Sequence, residues 1–213
     1  MPLTYLLAFL KVGDVPQFAS GYASKVPATL TEFGGKYVAK VLPLKEKAAF
    51  VEKGLADDMT LCAVLSFPDK EKALAWKNSP AYQEIVGVRH ANSTGPVIIA
   101  EGLGNEDKFA NGVGAILCAF VKVNDMETFK QYAGKIPATL APVGGQYLVK
   151  ALPITNSVVC EGKTADDYTL GVLLGFESVE KAMKWHDSKL YLEDALPLRM
   201  KSSTGCVMIA GTI

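Results

Sequence analysis

The segments YLLAFL, TLCAVLSF, TLGVLLGF and VMIA are apolar at nearly every position. A sheet with one wet face alternates apolar and polar residues, so these runs predict strands buried on both faces. In the first hundred residues the pattern places strands over about 4–12, 36–42, 60–67 and 96–101. Between the first two lies a helical stripe, Phe18, Tyr22, Val26, Leu30 and Phe33, spaced three or four apart. Pro27 interrupts it, which predicts a kink or two abutting helices. Gly34 and Gly35 stop it. Residues 43–59 read as an irregular insert. A second helix is expected from about Asp69 to the turn at Asn78–Pro80.

The same order then repeats. KVPATL returns as KIPATL, FGGKYVAKVLP as VGGQYLVKALP, ADDMTLCAVLSF as ADDYTLGVLLGF, and EKALAWKNS as EKAMKWHDS. The second stripe is Phe129, Tyr132, Ile136, Leu140 and Val143, with Pro137 and the Gly144–Gly145 pair in matching places. The chain is therefore a tandem duplication, with repeats at 1–101 and 113–213 and a polar linker at 102–112. The offset between copies drifts by a residue or two, so small insertions are expected in loops or at element ends. Each copy reads β-α-β-β-α-β, the ferredoxin-like split unit of the α+β class. Two helices cover only one face of such a sheet. The other face needs a second sheet, and the other copy supplies it. The expected result is two four-stranded antiparallel sheets packed face to face or curled into a barrel.

The succession P-A-T-L, G-G-(K/Q)-Y, a strand ending in Phe, E-K-A-x-x-W-x-x-S-x-x-Y, then Arg and a last strand resembles the domain-of-unknown-function family 1330. The resemblance covers both copies. It implies the dimeric α/β barrel superfamily, with the barrel closed here within one polypeptide as a pseudo-dimer and a further homodimer left open. Superfamily relatives include cofactor-independent monooxygenases, small-ring isomerases and haem-binding enzymes. The chain departs from the family after the helix tryptophan, where Lys77 and His186 replace a common aromatic. It departs again at Lys189, where the first copy has Pro80. Two sites, if present, need not be equivalent.

Composition narrows the function classes. Twenty-two basic residues balance 22 acidic ones, and no basic stripe appears, so nucleic-acid binding has no electrostatic support. No apolar stretch reaches the ~20 residues that span a bilayer. The N-terminal run lacks a preceding basic residue and a cleavage pattern, and it recurs mid-chain as GAILCAFVKVND; it reads as a strand and not a secretion signal. Cys62, Cys118, Cys160 and Cys206 have no cysteine at the matching position of the other copy and no CxxC spacing. They read as small apolar residues of a cytoplasmic protein.

Polar residues kept in both copies are the candidates for chemistry. Tyr22 and Tyr132 lie on the buried stripe and would either orient a ligand or bond to backbone. Tyr37 and Tyr147 open the second strand. Lys40 and Lys150, three residues on, are expected on the opposite strand face, guarding a sheet edge. Trp76 and Trp185, with Ser79, Tyr82, Ser188 and Tyr191, form a pocket wall or simply core. Arg89 and Arg199 precede Ser93-Thr94-Gly95 and Ser203-Thr204-Gly205. They are the best ligand-facing candidates, clamping a carboxylate or phosphate, with a helix end or a carboxylate of the fold as the alternative partner. His90 and His186 occupy unmatched positions without metal-ligand spacing, so no metal or cofactor is expected, and haem ligation or action as a base is a remote alternative. Asp57–Asp58 and Asp166–Asp167 look like turn residues, with acid–base work the lesser reading. The expected partner is a small organic ligand, in a cofactor-free isomerase or oxygenase, a carrier or pigment-type protein, or an assembly module.

Overall fold

The computed structural model describes residues 2–52 and 59–213. The Asp57–Asp58 pair lies outside the described residues. In the first copy the strands are β1 (Thr4–Val12), β2 (Lys36–Val41), β3 (Phe50–Val51), β4 (Leu61–Phe67), β5 (Ser93–Thr94) and β6 (Val97–Glu101). In the second they are β7 (Ala115–Val123), β8 (Gln146–Ala151), β9 (Val159–Cys160), β10 (Leu170–Phe176) and β11 (Ser203–Gly211). The two antiparallel sheets run β2-β4-β1-β6-β9 and β8-β10-β7-β11-β3, with β5 also paired to β1.

The apolar runs are buried on both faces as their pattern requires. Leu7, Phe9, Val64 and Ile98 of one sheet meet Ile116, Cys118, Phe120 and Met208 of the other in a shared inter-sheet core. The alternate residues, Leu6, Ala8, Leu10 and Leu65, face the first copy's helices. Leu117, Ala119, Val121 and Leu174 do the same in the second copy. The linker contributes to the shared core through Phe109, which is buried. Its Glu106 accepts a 2.5 Å hydrogen bond from the Tyr5 hydroxyl.

The inserts are not wholly irregular. Each sends a two-residue strand to the opposite sheet. β3 pairs with β11 (Met208↔Val51), and β9 pairs with β6 (Ile98↔Cys160). Without the exchange, β6 and β11 would leave open edges of unpaired backbone groups. The far edges are tied as well: Leu103 N–H donates to the Leu148 carbonyl at 2.9 Å and Ile213 N–H to Val38 at 3.0 Å. The two sheets are thus bonded at both seams.

The helices start at side-chain caps. Asp14, Asp69, Asp125 and Ser178 each accept from the backbone N–H three residues on. Gly34 and Gly144 stop the first-helix regions with φ of 65° and 69°, a left-handed conformation that favours glycine. Beyond the two helices expected in each copy, a further one follows: Pro80–Asn92 in the first, and Leu196–Ser202, preceded by a π-turn at Leu190–Ala195, in the second. Ser79 opens the first of these, its hydroxyl accepting from Tyr82 N–H and donating to the Trp76 carbonyl at 2.8 Å.

Two insertions, expected in loops or at element ends, sit in π-turns where short helical segments meet. Phe18 and Phe129 are 111 residues apart, but Tyr22 and Tyr132 are 110 apart. The extra residue is absorbed by a π-turn at Ala19–Ala23, where the second copy has continuous α-helix, Met126–Leu140. The reverse holds later. Tyr82 and Tyr191 are 109 apart, Arg89 and Arg199 110, and the second copy takes up its extra residue in the π-turn at Leu190–Ala195. A π-turn takes up one extra residue while keeping both flanking faces in place, so the buried stripe survives the insertion.

Candidate functional site

Each copy encloses a cavity between its sheet and its helices. The second copy's measures about 50 Å³ and the first's about 40 Å³. A water needs roughly 10–15 Å³ by this measure, so each cavity holds a molecule of a few heavy atoms without rearrangement. The walls are mostly apolar. The polar lining of the second cavity is Tyr132, Tyr147, Lys150, Trp185, Tyr191 and Arg199. In the first it is Tyr22, Tyr37, Lys40 and Arg89.

Tyr37 and Lys40 share a face, contrary to the alternation expected for residues three apart. The strand carries a β-bulge: Tyr37 pairs with Leu65 and Ala39 with Val64, leaving Val38 extra. In the second copy Tyr147 pairs with Leu174 and Val149 with Leu173, leaving Leu148 extra. An extra residue flips the alternation beyond it. Lys40 Nζ therefore lies 5.6 Å from the Tyr37 ring centroid, and Lys150 Nζ 5.5 Å from that of Tyr147. Both lysines line their cavities while remaining exposed. They stand at the mouths, on strands that end their sheets as expected, but on the cavity face. The repeated Y-x-x-K was the signal for this pairing.

The arginines are buried, each 5% exposed. Arg89 Nη2 bonds to Glu161, which follows β9; Arg199 Nη2 bonds to Glu52, at 2.6 Å, which follows β3. Each carboxylate belongs to the opposite copy and arrives with the exchanged strand. The alternative partner, a carboxylate of the fold, is thus present, yet it leaves part of each guanidinium free. Nε of Arg89, and Nε and Nη1 of Arg199, are buried without a hydrogen-bond partner. The hydroxyl-rich turns act locally, since Ser93 and Ser203 Oγ donate to the Arg89 and Arg199 carbonyls at the helix ends. Gly95 and Gly205 lie so close to β1 and β7 that a Cβ would overlap the Phe9 and Phe120 carbonyl oxygens.

Two tyrosines connect cavity to arginine in each copy. The Tyr22 and Tyr82 hydroxyls are 3.5 Å apart, and in the second copy the Tyr132 hydroxyl neighbours that of Tyr191. Burial drives the Tyr22 and Tyr132 phenols well above their ordinary value, their tyrosine neighbours add to this, and the nearby guanidinium opposes it. Burial likewise raises Tyr82 and Tyr191 against the pull of Arg89 and Arg199. Tyr37 and Tyr147 are pushed up to about 12, mainly by burial. All six are neutral hydroxyls near pH 7, able to donate to a developing oxyanion and poor at removing protons. No acid or histidine is among the described residues lining either cavity.

The tryptophans differ. Trp185 lines the second cavity, whereas Trp76 is core and does not line the first. Both indole N–H groups donate at 2.9 Å to the threonine of the repeated P-A-T-L, Thr29 or Thr139, which accounts for that motif. The histidines stand outside both cavities. His90 Nε2 lies 2.7 Å from Arg89 Nη2; burial and the guanidinium lower its pKa, so it accepts that bond. His186 stacks on Phe50 of the exchanged strand, with ring centroids 4.1 Å apart. Asp166 and Asp167 fall in the short helix Thr164–Asp167. Glu52 and Glu161 escaped the sequence reading, although they hold matching places in the two inserts. Among the described residues no helix is long and apolar enough to cross a membrane.

No curated protein matches the sequence. Solved structures match over nearly the whole chain. A mutant chlorite dismutase from Candidatus Nitrospira defluvii, in complex with cyanide, aligns with TM-score 0.54 and 10% identity, covering 99% of this chain and 90% of that one. A protein classed as a monooxygenase from Fusobacterium nucleatum subsp. nucleatum aligns with TM-score 0.51 and 11% identity, covering 100% and 93%. At these identities the likeness is one of fold, and it identifies the two packed sheets as a dimeric α/β barrel formed by two similar halves of one chain. The family described as a domain of unknown function, DUF1330, matches residues 3–103 and again residues 115–212, so this chain belongs to that family and carries its domain twice.

Proposed function

We propose that the protein binds a small organic anion in each of two related cavities, one per copy. The observation that carries this reading is the set of buried guanidinium N–H groups without partners. A buried, unsatisfied donor is destabilising by about 1–3 kcal/mol, more when charged, and an oxyanion in the adjacent cavity relieves it. The tyrosine hydroxyls orient the same head group, the lysine stands at the mouth, and the apolar walls take a short hydrocarbon body.

If the protein is a catalyst, its residues suit chemistry in which charge collects on a substrate oxygen. Oxygenation of a substrate that enters as its anion and itself reduces oxygen fits a site of neutral hydroxyls and one guanidinium. Isomerisation through an enolate fits only a substrate that enters already deprotonated, because the described linings hold no carboxylate or histidine to take the proton. A non-catalytic carrier is the second reading, favoured by the absence of an acid or histidine from the described cavity linings. The open cavities count against an assembly module with filled cores. Calorimetry with a panel of short-chain carboxylates tests the proposal, alongside mass spectrometry of natively purified protein for a retained molecule. The expected result is binding that Arg89→Met and Arg199→Met weaken at least about tenfold. Equal affinities in wild type and variants, or no binding across the panel, overturns it.

A further inference from the structure

The carboxylates that meet the cavity arginines come from the opposite copies, and they alter the electrostatics of the site. In the second cavity Lys150 and Arg199 supply two positive charges. Glu52, 17% exposed, cancels one of them by bonding Arg199 Nη2 from outside the lining. Glu161, 19% exposed, does the same to Arg89 in the first. What remains in each site is one net positive charge and a guanidinium already committed on one nitrogen. Within this small, largely apolar space a second negative charge on a ligand would face the glutamate across the arginine, with no cation left to balance it. Like charges so placed disfavour binding strongly.

We propose that Glu52 and Glu161 are specificity-determining residues that restrict each cavity to monoanions, each acting on the cavity of the copy to which it does not belong. The proposal rests on the reading that the cavities take small anions. It makes each site a composite of both copies, which explains why the two-residue strands β3 and β9 are exchanged and do not fold back on their own sheets. Glu52 meets the arginine 147 positions away and Glu161 the one 72 positions away, so neither half of the chain alone contains a complete site.

The test compares propionate, a monoanion, with malonate, a dianion of the same carbon count, on the full chain by calorimetry. Wild type, Glu52→Gln, Glu161→Gln and the double variant are measured. Glutamine keeps the shape and a neutral acceptor, and thermal melts report whether each variant is folded. Wild type is expected to prefer propionate by at least about tenfold. Each single variant is expected to lose that preference at one of two sites and the double variant at both. In Glu52→Gln the change also appears in the emission of Trp185, which lines the second cavity. Propionate binding with an unchanged propionate-to-malonate ratio in the folded variants overturns the role of the glutamates and leaves the anion reading standing. Binding of neither ligand, by wild type or variant, overturns both.

Discussion

Removing Glu161 should show how much the fold depends on the cross-copy ion pair. The Arg89 side chain is 6% exposed and that of Glu161 19%. Breaking a buried pair by deleting one partner is destabilising by about 3–5 kcal/mol, because the remaining charge stays buried and uncompensated. Two features place Glu161→Ala toward the lower end. Glu161 keeps some contact with solvent, and His90 Nε2 remains 2.7 Å from Arg89 Nη2 as an acceptor. The expected loss is about 3 kcal/mol. Glu161→Gln, which retains an acceptor without charge, should lose about 1–2 kcal/mol. The mirror variant Glu52→Ala should lose more than Glu161→Ala. Arg199 has two unpartnered nitrogens, and its Nη2 has the Met200 sulfur at 3.6 Å where Arg89 has a histidine. The assay is urea unfolding followed by tryptophan emission, since Trp76 and Trp185 are both buried. The double variant Arg89→Met/Glu161→Ala, measured beside Arg89→Met alone, closes the cycle and should recover most of the loss, because no charge is left buried. A loss below about 0.5 kcal/mol for Glu161→Ala would refute the reasoning and class the pair with exposed surface bridges.

Alkaline titration gives a second expectation. Tyr37 and Tyr147 stand near 12 in the folded protein against an ordinary 10.0. The unfolded chain therefore releases protons first as pH rises. Stability should be complete below pH 10 and fall as pH climbs through about 12, with phenolate absorbance appearing together with unfolding; phenolate that appears in the folded protein near pH 10 at these positions contradicts the burial argument. Ser79→Ala removes a buried hydroxyl that caps the Pro80–Asn92 helix, and should lower stability by about 1–2 kcal/mol in urea unfolding. Gly205→Ala places a Cβ against the Phe120 carbonyl oxygen on a neighbouring strand, and should lower the melting temperature more than Gly134→Ala, whose Cβ meets nothing.

The duplication, the strands and the barrel were legible because they depend on local pattern. Apolar runs too continuous for a half-wet sheet called for a second sheet, and the repeat supplied one. The Gly-Gly helix stops and the matched tyrosines and arginines were visible for the same reason. The Pro80–Asn92 helix was not read: its residues PAYQEIVGVRHAN include a glycine and a polar end, and its apolar spacing is loose. The W-x-x-S-x-x-Y motif marked its start: of the two roles its serine could take, capping or turning the chain, it caps the new helix.

What the sequence alone determined is the set of elements, their two-fold recurrence and the residues worth comparing between copies, because periodicity and turn chemistry act over a few positions. Only the tertiary structure decided how those residues meet. The bulges at Val38 and Leu148 put lysine and tyrosine on one face, and each is recognisable only against the strand paired beside it. The π-turns absorbed insertions for which the chain's pattern left loops and element ends equally open. The glutamates reached the arginines because an open sheet edge in one copy captured a strand from the other. Pairings across 72 and 147 residues leave no periodic trace in the chain, so the composite character of the two cavities emerges only once the copies are folded together.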